Sequence, residues 1–156
     1  MKYTRLTKEQ FEALQEEFTR FLATQSITAD EWQEIKRNKP EVAEAELDVF
    51  SDLVWEGALS AAKYLENASP DQLFCFAVQN ELIELIHVKV SPNTADLTTA
   101  AGREWLLKNL KDERVVIQRG SNAVSEDRNQ QLFGLVRQGA HIVEGSFIDA
   151  LLKVIN

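Results

Sequence analysis

Two stretches near the start of the chain alternate apolar and charged positions at helical spacing, and each opens on a capping signal. Thr7 stands three residues before Gln10, with Leu6 and Phe11 at the flanking staple positions, a pattern in which side chains satisfy the free amides of a first helical turn. Phe11, Leu14, Phe18, Phe21 and Leu22 then form one stripe, with Glu9, Glu12, Glu16 and Arg20 off it, so a single amphipathic helix is expected to lie on a core. Thr28 and Glu31, flanked by Ile27 and Trp32, repeat the device and predict a shorter second helix over 29–37.

Pro40 suits the first turn of a third helix, where its missing amide hydrogen is no loss and Glu41 and Glu44 favour the positive end of the dipole. The pattern carries this helix to about residue 66. Its main apolar face holds Leu47, Phe50, Leu53, Val54, Gly57, Ala61 and Leu65. The other side carries Asp48, Asp52, Glu56 and Glu66, but also Trp55, Leu59 and Ala62. A helix apolar on both sides is either enclosed or offers a surface to a partner.

After a turn-like stretch at 67–71 the pattern changes from helical spacing to short apolar runs. Residues 73–78 and 82–90 are rich in Val, Ile, Leu and Phe, are separated by Gln79, Asn80 and Glu81, and read as a β-hairpin. A fourth helix is expected over about 99–110, and a third strand over 114–119 around Val115, Val116 and Ile117. Gly120, Ser121 and Asn122 read as a loop, Ser125 as the cap of a fifth helix, and Gly139 as its C-terminal stop. Residues 141–144 form a fourth strand candidate, and Ser146 is placed to cap a last helix carrying Phe147, Leu151 and Val154 on one stripe. The expected architecture is α+β in one domain. Three N-terminal helices, within about 1–67, pack on a small, mainly antiparallel sheet of three or four strands, with two or three C-terminal helices in an α/β part of about 72–156.

Composition narrows the function. The chain has 156 residues with 17 Lys and Arg against 25 Asp and Glu, a formal charge of −8. A domain of this length buries roughly 68–70% of its unfolded surface and needs no staples. One cysteine and two histidines leave no disulfide framework and no zinc site free of carboxylates. The acidity opposes binding to nucleic acid and to anionic membranes. No apolar leader or spanning run is visible, so a soluble cytoplasmic protein without a cofactor is expected. The charge is uneven: residues 1–75 carry 8 basic and 15 acidic side chains, and residues 76–156 carry 9 and 10.

Three constellations merit attention. Asp48, Asp52 and Glu56 recur every fourth residue and could hold a divalent cation if other helices supplied ligands; a solvated acidic face explains the same residues. Asp52, Trp55 and Leu59 could anchor a protein partner or a second copy, with Trp55 and Leu59 exposed on the monomer. Arg119, Ser121 and Asn122, in a loop between strand and helix, could bind an anion, with Arg137 assisting; a turn and a helix cap are the plainer account. Cys75, His87 and His141 carry no local signature of a nucleophile and its base, so no catalytic residue is assigned.

The segments Met1-Lys2-Tyr3 with Arg5-Leu6-Thr7, Ile27-Thr28-Ala29-Asp30 to Trp32, Phe50-Ser51-Asp52 to Trp55, and Tyr64-Leu65-Glu66 resemble an uncharacterised family of small bacterial proteins, a domain of unknown function. That resemblance implies no activity, cofactor or catalytic residue. The leading expectation is a non-enzymatic interaction or regulatory domain that self-associates through the third helix. The alternative is a small enzyme or ligand-binding protein working through the acidic helix face or the 119–122 loop.

Overall fold

The computed structural model describes residues 1–156, which form two compact units, Met1–Ala58 and Leu59–Asn156.

The first unit contains α1 (Lys8–Ala13), α2 (Gln15–Thr24), α3 (Ala29–Asn38) and all but the last three residues of α4 (Pro40–Ala61). The Thr7 box forms in full: the hydroxyl accepts from the Gln10 amide and the Gln10 side chain accepts from the Thr7 amide. Thr28 also caps, accepting from the Glu31 amide, but the Glu31 carboxylate accepts from the Thr28 hydroxyl and not from the Thr28 backbone amide. The single first helix expected from the pattern is interrupted at Leu14, whose φ −107° and ψ 25° separate α1 from α2. This offset lets rings from both helices meet Phe50: Phe11 stacks on it at 6.0 Å and Phe18 meets it edge-on at 5.0 Å. Leu22, Trp32 and Ala43 complete the core, with Phe18, Phe21, Ile35 and Leu47 packed around them.

The second unit contains β1 (Tyr64–Ala68), β2 (Gln72–Val78), β3 (Leu82–Val90), α5 (Ala100–Lys108), β4 (Val115–Ala123), α6 (Arg128–Arg137), β5 (His141–Val143) and α7 (Ser146–Ile155). The five strands form one antiparallel sheet in the order β4-β3-β2-β1-β5, and the protein is α+β. One face buries Leu73, Cys75, Ile86, Val88 and Val90 against Leu97, Leu106 of α5, and Ile148 and Leu151 of α7. On the other face, Gln131 and Leu135 of α6 border Phe76, Ile83 and Leu85.

Four expectations are corrected here. The third helix ends at Ala61, not near residue 66, because the Arg128 guanidinium binds the carbonyls of Leu59 (2.8 Å) and Ala62 (2.6 Å) and closes its C-terminus. Tyr64–Ala68 is therefore a strand, which brings the sheet to five, and is joined to β2 by the turn at 69–71. Asp127, not Ser125, caps α6, and the Ser125 amide donates to the Gln131 side chain. Gly145, in a left-handed conformation at φ 96°, precedes α7, while the Ser146 hydroxyl donates to Glu144.

Candidate interaction surface

The 120–122 loop is also corrected: Gly120, Ser121 and Asn122 lie inside β4, paired with Leu85, Glu84 and Ile83 of β3. Gly120 does not end the strand because the ladder to β3 continues to Leu82 opposite Ala123. No strand-to-helix loop at 119–122 exists to cradle an anion.

β4 is an edge. Its only neighbour is β3, and the other edge, β5, is three residues long against nine in β4. Ladder alternation fixes where its backbone groups point. The Ser91 amide donates to the Arg114 carbonyl at one end and the Val124 amide to the Glu81 carbonyl at the other, so even-numbered residues face β3. Odd-numbered ones face outward. The Val115 amide is held by Asp112 and the Ala123 carbonyl by the Gln131 side chain. Ile117, Arg119 and Ser121 direct both amide and carbonyl away from the sheet.

Proteins usually protect such edges with proline, inward charge, a bulge or brevity. β4 has no proline and pairs without interruption over its length. Its one charged residue, Arg119, is neutralised by an ion pair with Glu84 and donates to Asn156 at 2.8 Å. Side chains from Arg119 and Ile117 line an open groove of about 690 Å³ with Leu107, Lys108, Leu110, Lys111 and Val154. Gly120, Ser121 and Asn122 line a second, of about 330 Å³, on the side bordered by Gln131 and Leu135. The three residues proposed as an anion site therefore divide between two grooves, with Arg137 lining neither.

A family model described as "Family of unknown function (DUF6495)" matches residues 1–156. The chain belongs to that family. No curated protein and no solved structure matches it.

In this DUF6495 chain the N-terminal segment and the acidic ladder of α4 bind each other. Asp52 accepts from the amides of Lys2 (2.7 Å) and Tyr3 (2.9 Å), Glu56 accepts from the Tyr3 hydroxyl, and Asp48 accepts from Arg5 Nε at 2.7 Å. Fully buried Ser51 accepts from the Leu6 amide at 3.0 Å and donates to the Leu47 carbonyl at 2.7 Å. Burial, and then the hydrogen bond to Glu56, pushes the Tyr3 hydroxyl above its ordinary value. Asp48, Asp52 and Glu56 thus hold a strap of their own chain, and no group of three or more His, Cys, Asp or Glu gathers to hold a metal ion. Sequence reasoning missed the strap because Lys2, Tyr3 and Arg5 carry no secondary-structure signal; their sole hint was cationic and phenolic side chains in a chain rich in carboxylates.

The predicted interaction triad is altered too. Leu59 is fully buried, which overturns its expected exposure, and Asp52 and Trp55 are half-buried. The exposed large apolar side chains of DUF6495 helix α4 are Val42, Val49 and Leu53. Strand register places Cys75, Glu66 and His141 in one row across β2, β1 and β5. Glu66 stands between the other two and binds Arg103 through both carboxylate oxygens. Cys75 is fully buried, and desolvation, followed by repulsion from Glu66, pushes its thiol up to about 12, the opposite of an activated nucleophile. His87 stacks on Phe74 at 4.2 Å and hydrogen-bonds Gln72 at 3.0 Å.

Proposed function

We propose that this chain is a non-catalytic, cytoplasmic protein-interaction domain that engages partners by strand addition along β4. The observation that carries the reading is the outward backbone row of Ile117, Arg119 and Ser121 on a nine-residue edge. Main-chain hydrogen bonds supply affinity in strand addition and alternate side chains supply specificity. The flanking grooves, one bordering each face of β4, offer places for the side chains of an added strand. No helix is long and apolar enough to cross a membrane, and the excess of acidic residues disfavours nucleic-acid phosphates.

The test is selection of displayed random peptides on the protein, followed by comparison with Ser121→Pro. Proline at an outward amide leaves the β3 ladder in place and blocks docking at the edge. The reading requires extended binders whose affinity is lost in that variant. Binders that are all insensitive to it would overturn the reading.

A second reading rests on the larger groove, where Lys111 stands beside an apolar floor of Leu107, Leu110, Ile117 and Val154, while Lys108 and Arg119 on the same rim are paired with Glu104 and Glu84. That combination suits a small carboxylate with an apolar body. Thermal stabilisation by a medium-chain fatty acid, reduced in Lys111→Glu, supports it; no stabilisation in the unmodified protein removes it.

A further inference from the structure

The β4 edge has a property beyond openness: its sequence is complementary to itself in one antiparallel register. We infer that a second copy of this chain is the strand that docks there, with a two-fold axis through Gly120, giving a continuous sheet across the dimer. The inference rests on the strand-addition reading and names its partner.

Two copies related by a two-fold axis perpendicular to a shared sheet must pair residues of the same facing, so the axis passes through a residue of the strand. The alternatives are few. With the axis at Arg119, two guanidinium groups face each other directly and crowd the Glu84 and Asn156 partners that each already holds. With the axis at Gln118, Ile117 lies opposite Arg119. With the axis at Ser121, pairing inside β4 shrinks to residues 119–123.

At Gly120 every pair is matched. Arg119 faces Ser121, Gln118 faces Asn122, and Ile117 faces Ala123. The outward residues Arg119 and Ser121 become hydrogen-bonded pairs that exchange amide and carbonyl bonds, and the Ala123 amide, whose own carbonyl is held by Gln131, adds a bond to the Ile117 carbonyl. Gly120 meets its own copy at a position without backbone bonds, where Cα atoms approach to about 4.5 Å. Nothing within the chain lies within 4 Å of a Cβ added at Gly120, so this position can be altered without disturbing the monomer. Arg119 enters the contact already neutralised by Glu84, which removes the net charge that otherwise guards an edge.

The geometry permits a register-specific test, because the lone native thiol, Cys75, is fully buried and leaves introduced cysteines as the reactive ones. Gly120→Cys places two thiols opposite each other at a spacing that a disulfide spans. Mild oxidation is expected to cross-link it rapidly to a dimer. Gln118→Cys and Asn122→Cys should cross-link slowly alone and rapidly when mixed, since 118 pairs with 122. In analytical ultracentrifugation the unmodified protein should be dimeric at about 0.1 mM, a concentration that populates any dimer of micromolar affinity. Gly120→Lys and Ser121→Pro should both be folded monomers, judged by circular dichroism.

A monomeric unmodified protein, or Gly120→Cys cross-linking no faster than Gln118→Cys, overturns the inference. If edge-dependent peptides are nevertheless selected, strand addition stands and only self-pairing falls. If neither is found, both fall.

Discussion

Arg103 grips both carboxylate oxygens of Glu66, at 2.9 and 2.8 Å, from α5 across to β1, while its Nε binds the Leu97 carbonyl at 2.8 Å. The guanidinium also lies over the Phe147 ring at 4.9 Å. One side chain therefore ties together β1, the segment before α5, and α7. Both partners are largely shielded, with 18% and 17% of their side-chain surfaces exposed. Removing one leaves the other charged in a poorly hydrated place, so Glu66→Gln should destabilise the protein by about 2 kcal/mol, below the 3–5 kcal/mol typical of fully buried pairs. Urea denaturation measures this. A loss under about 0.5 kcal/mol, the range of ordinary surface changes, contradicts the assignment.

Gly102 and Gly120 are expected to respond in opposite ways to the same substitution. A Cβ at Gly102 would stand 1.8 Å from the Asp96 carbonyl oxygen, a backbone contact that cannot swing aside. Gly102→Ala should cost about 2 kcal/mol or more through forced backbone displacement. Gly120→Ala meets open space and should be neutral or stabilising by about 0.5 kcal/mol, because alanine loses less backbone freedom than glycine in a strand. Thermal melts of both variants check the pair.

Cys75 should be inert to thiol reagents at neutral pH in the native protein and reactive once it is denatured. Burial, then repulsion from Glu66, raises its pKa from 9.0 to about 12. The folded state consequently holds a proton that the unfolded chain releases between those values. This group's contribution to stability is complete below pH 9 and declines as pH rises toward 12. Cys75→Ala removes that decline, so the stability difference between the two proteins should narrow at alkaline pH. A difference that stays constant from pH 8 to 11 would show that the thiol is not shielded.

The N-terminal strap should open when its anchor is cut. Asp52→Ala removes the acceptor of the Lys2 and Tyr3 amides, both on an accessible segment, and should cost about 1 kcal/mol for the charge-assisted bonds lost. Hydrogen exchange is the sharper reading: the amide of Tyr3 should lose its protection, while that of Phe18, which binds the Leu14 carbonyl inside the helical core, should keep it. Unchanged exchange at Tyr3 refutes the anchoring role.

Asp112 is drawn down to about 2, first by its hydrogen bond from the Arg114 side chain and then by the Arg114 amide. A depressed carboxylate contributes stability that is present above its unfolded value near 4 and lost as pH falls toward 2. Asp112→Asn should therefore differ least from the unmodified protein at pH 2. Acid titration followed by tryptophan fluorescence, with Trp105 near Arg114 at 5.3 Å, reports it. An equal difference at pH 2 and pH 6 counts against the pairing.

Much of the framework was legible because its signals are local. Thr7 and Thr28 cap amides three residues away, and the short apolar runs at 73–78 and 82–90, separated by three polar residues, mark the two strands of a hairpin. Gly139 stops α6 in a left-handed conformation at φ 111°, as its place after the apolar stripe implied. The candidate sites were less legible. The acidic ladder was found but its occupant was not, because Asp52 and the Lys2 amide are separated by 50 residues. Leu59 looked exposed because helical periodicity ranks faces without saying which of them is covered.

The sequence alone determined the α+β class, the starts of α1, α3 and α4, the central hairpin and the location of the acidic charge in the N-terminal half. Tertiary structure decided the end of α4, the strand character of Tyr64–Ala68, the continuation of β4 through Gly120, and the use of the carboxylates. The physical reason is the range of the interactions involved. A cap or an apolar stripe is completed within a few residues, whereas the end of α4 depends on Arg128, 69 residues beyond Leu59, and the length of β4 depends on a ladder contributed by β3.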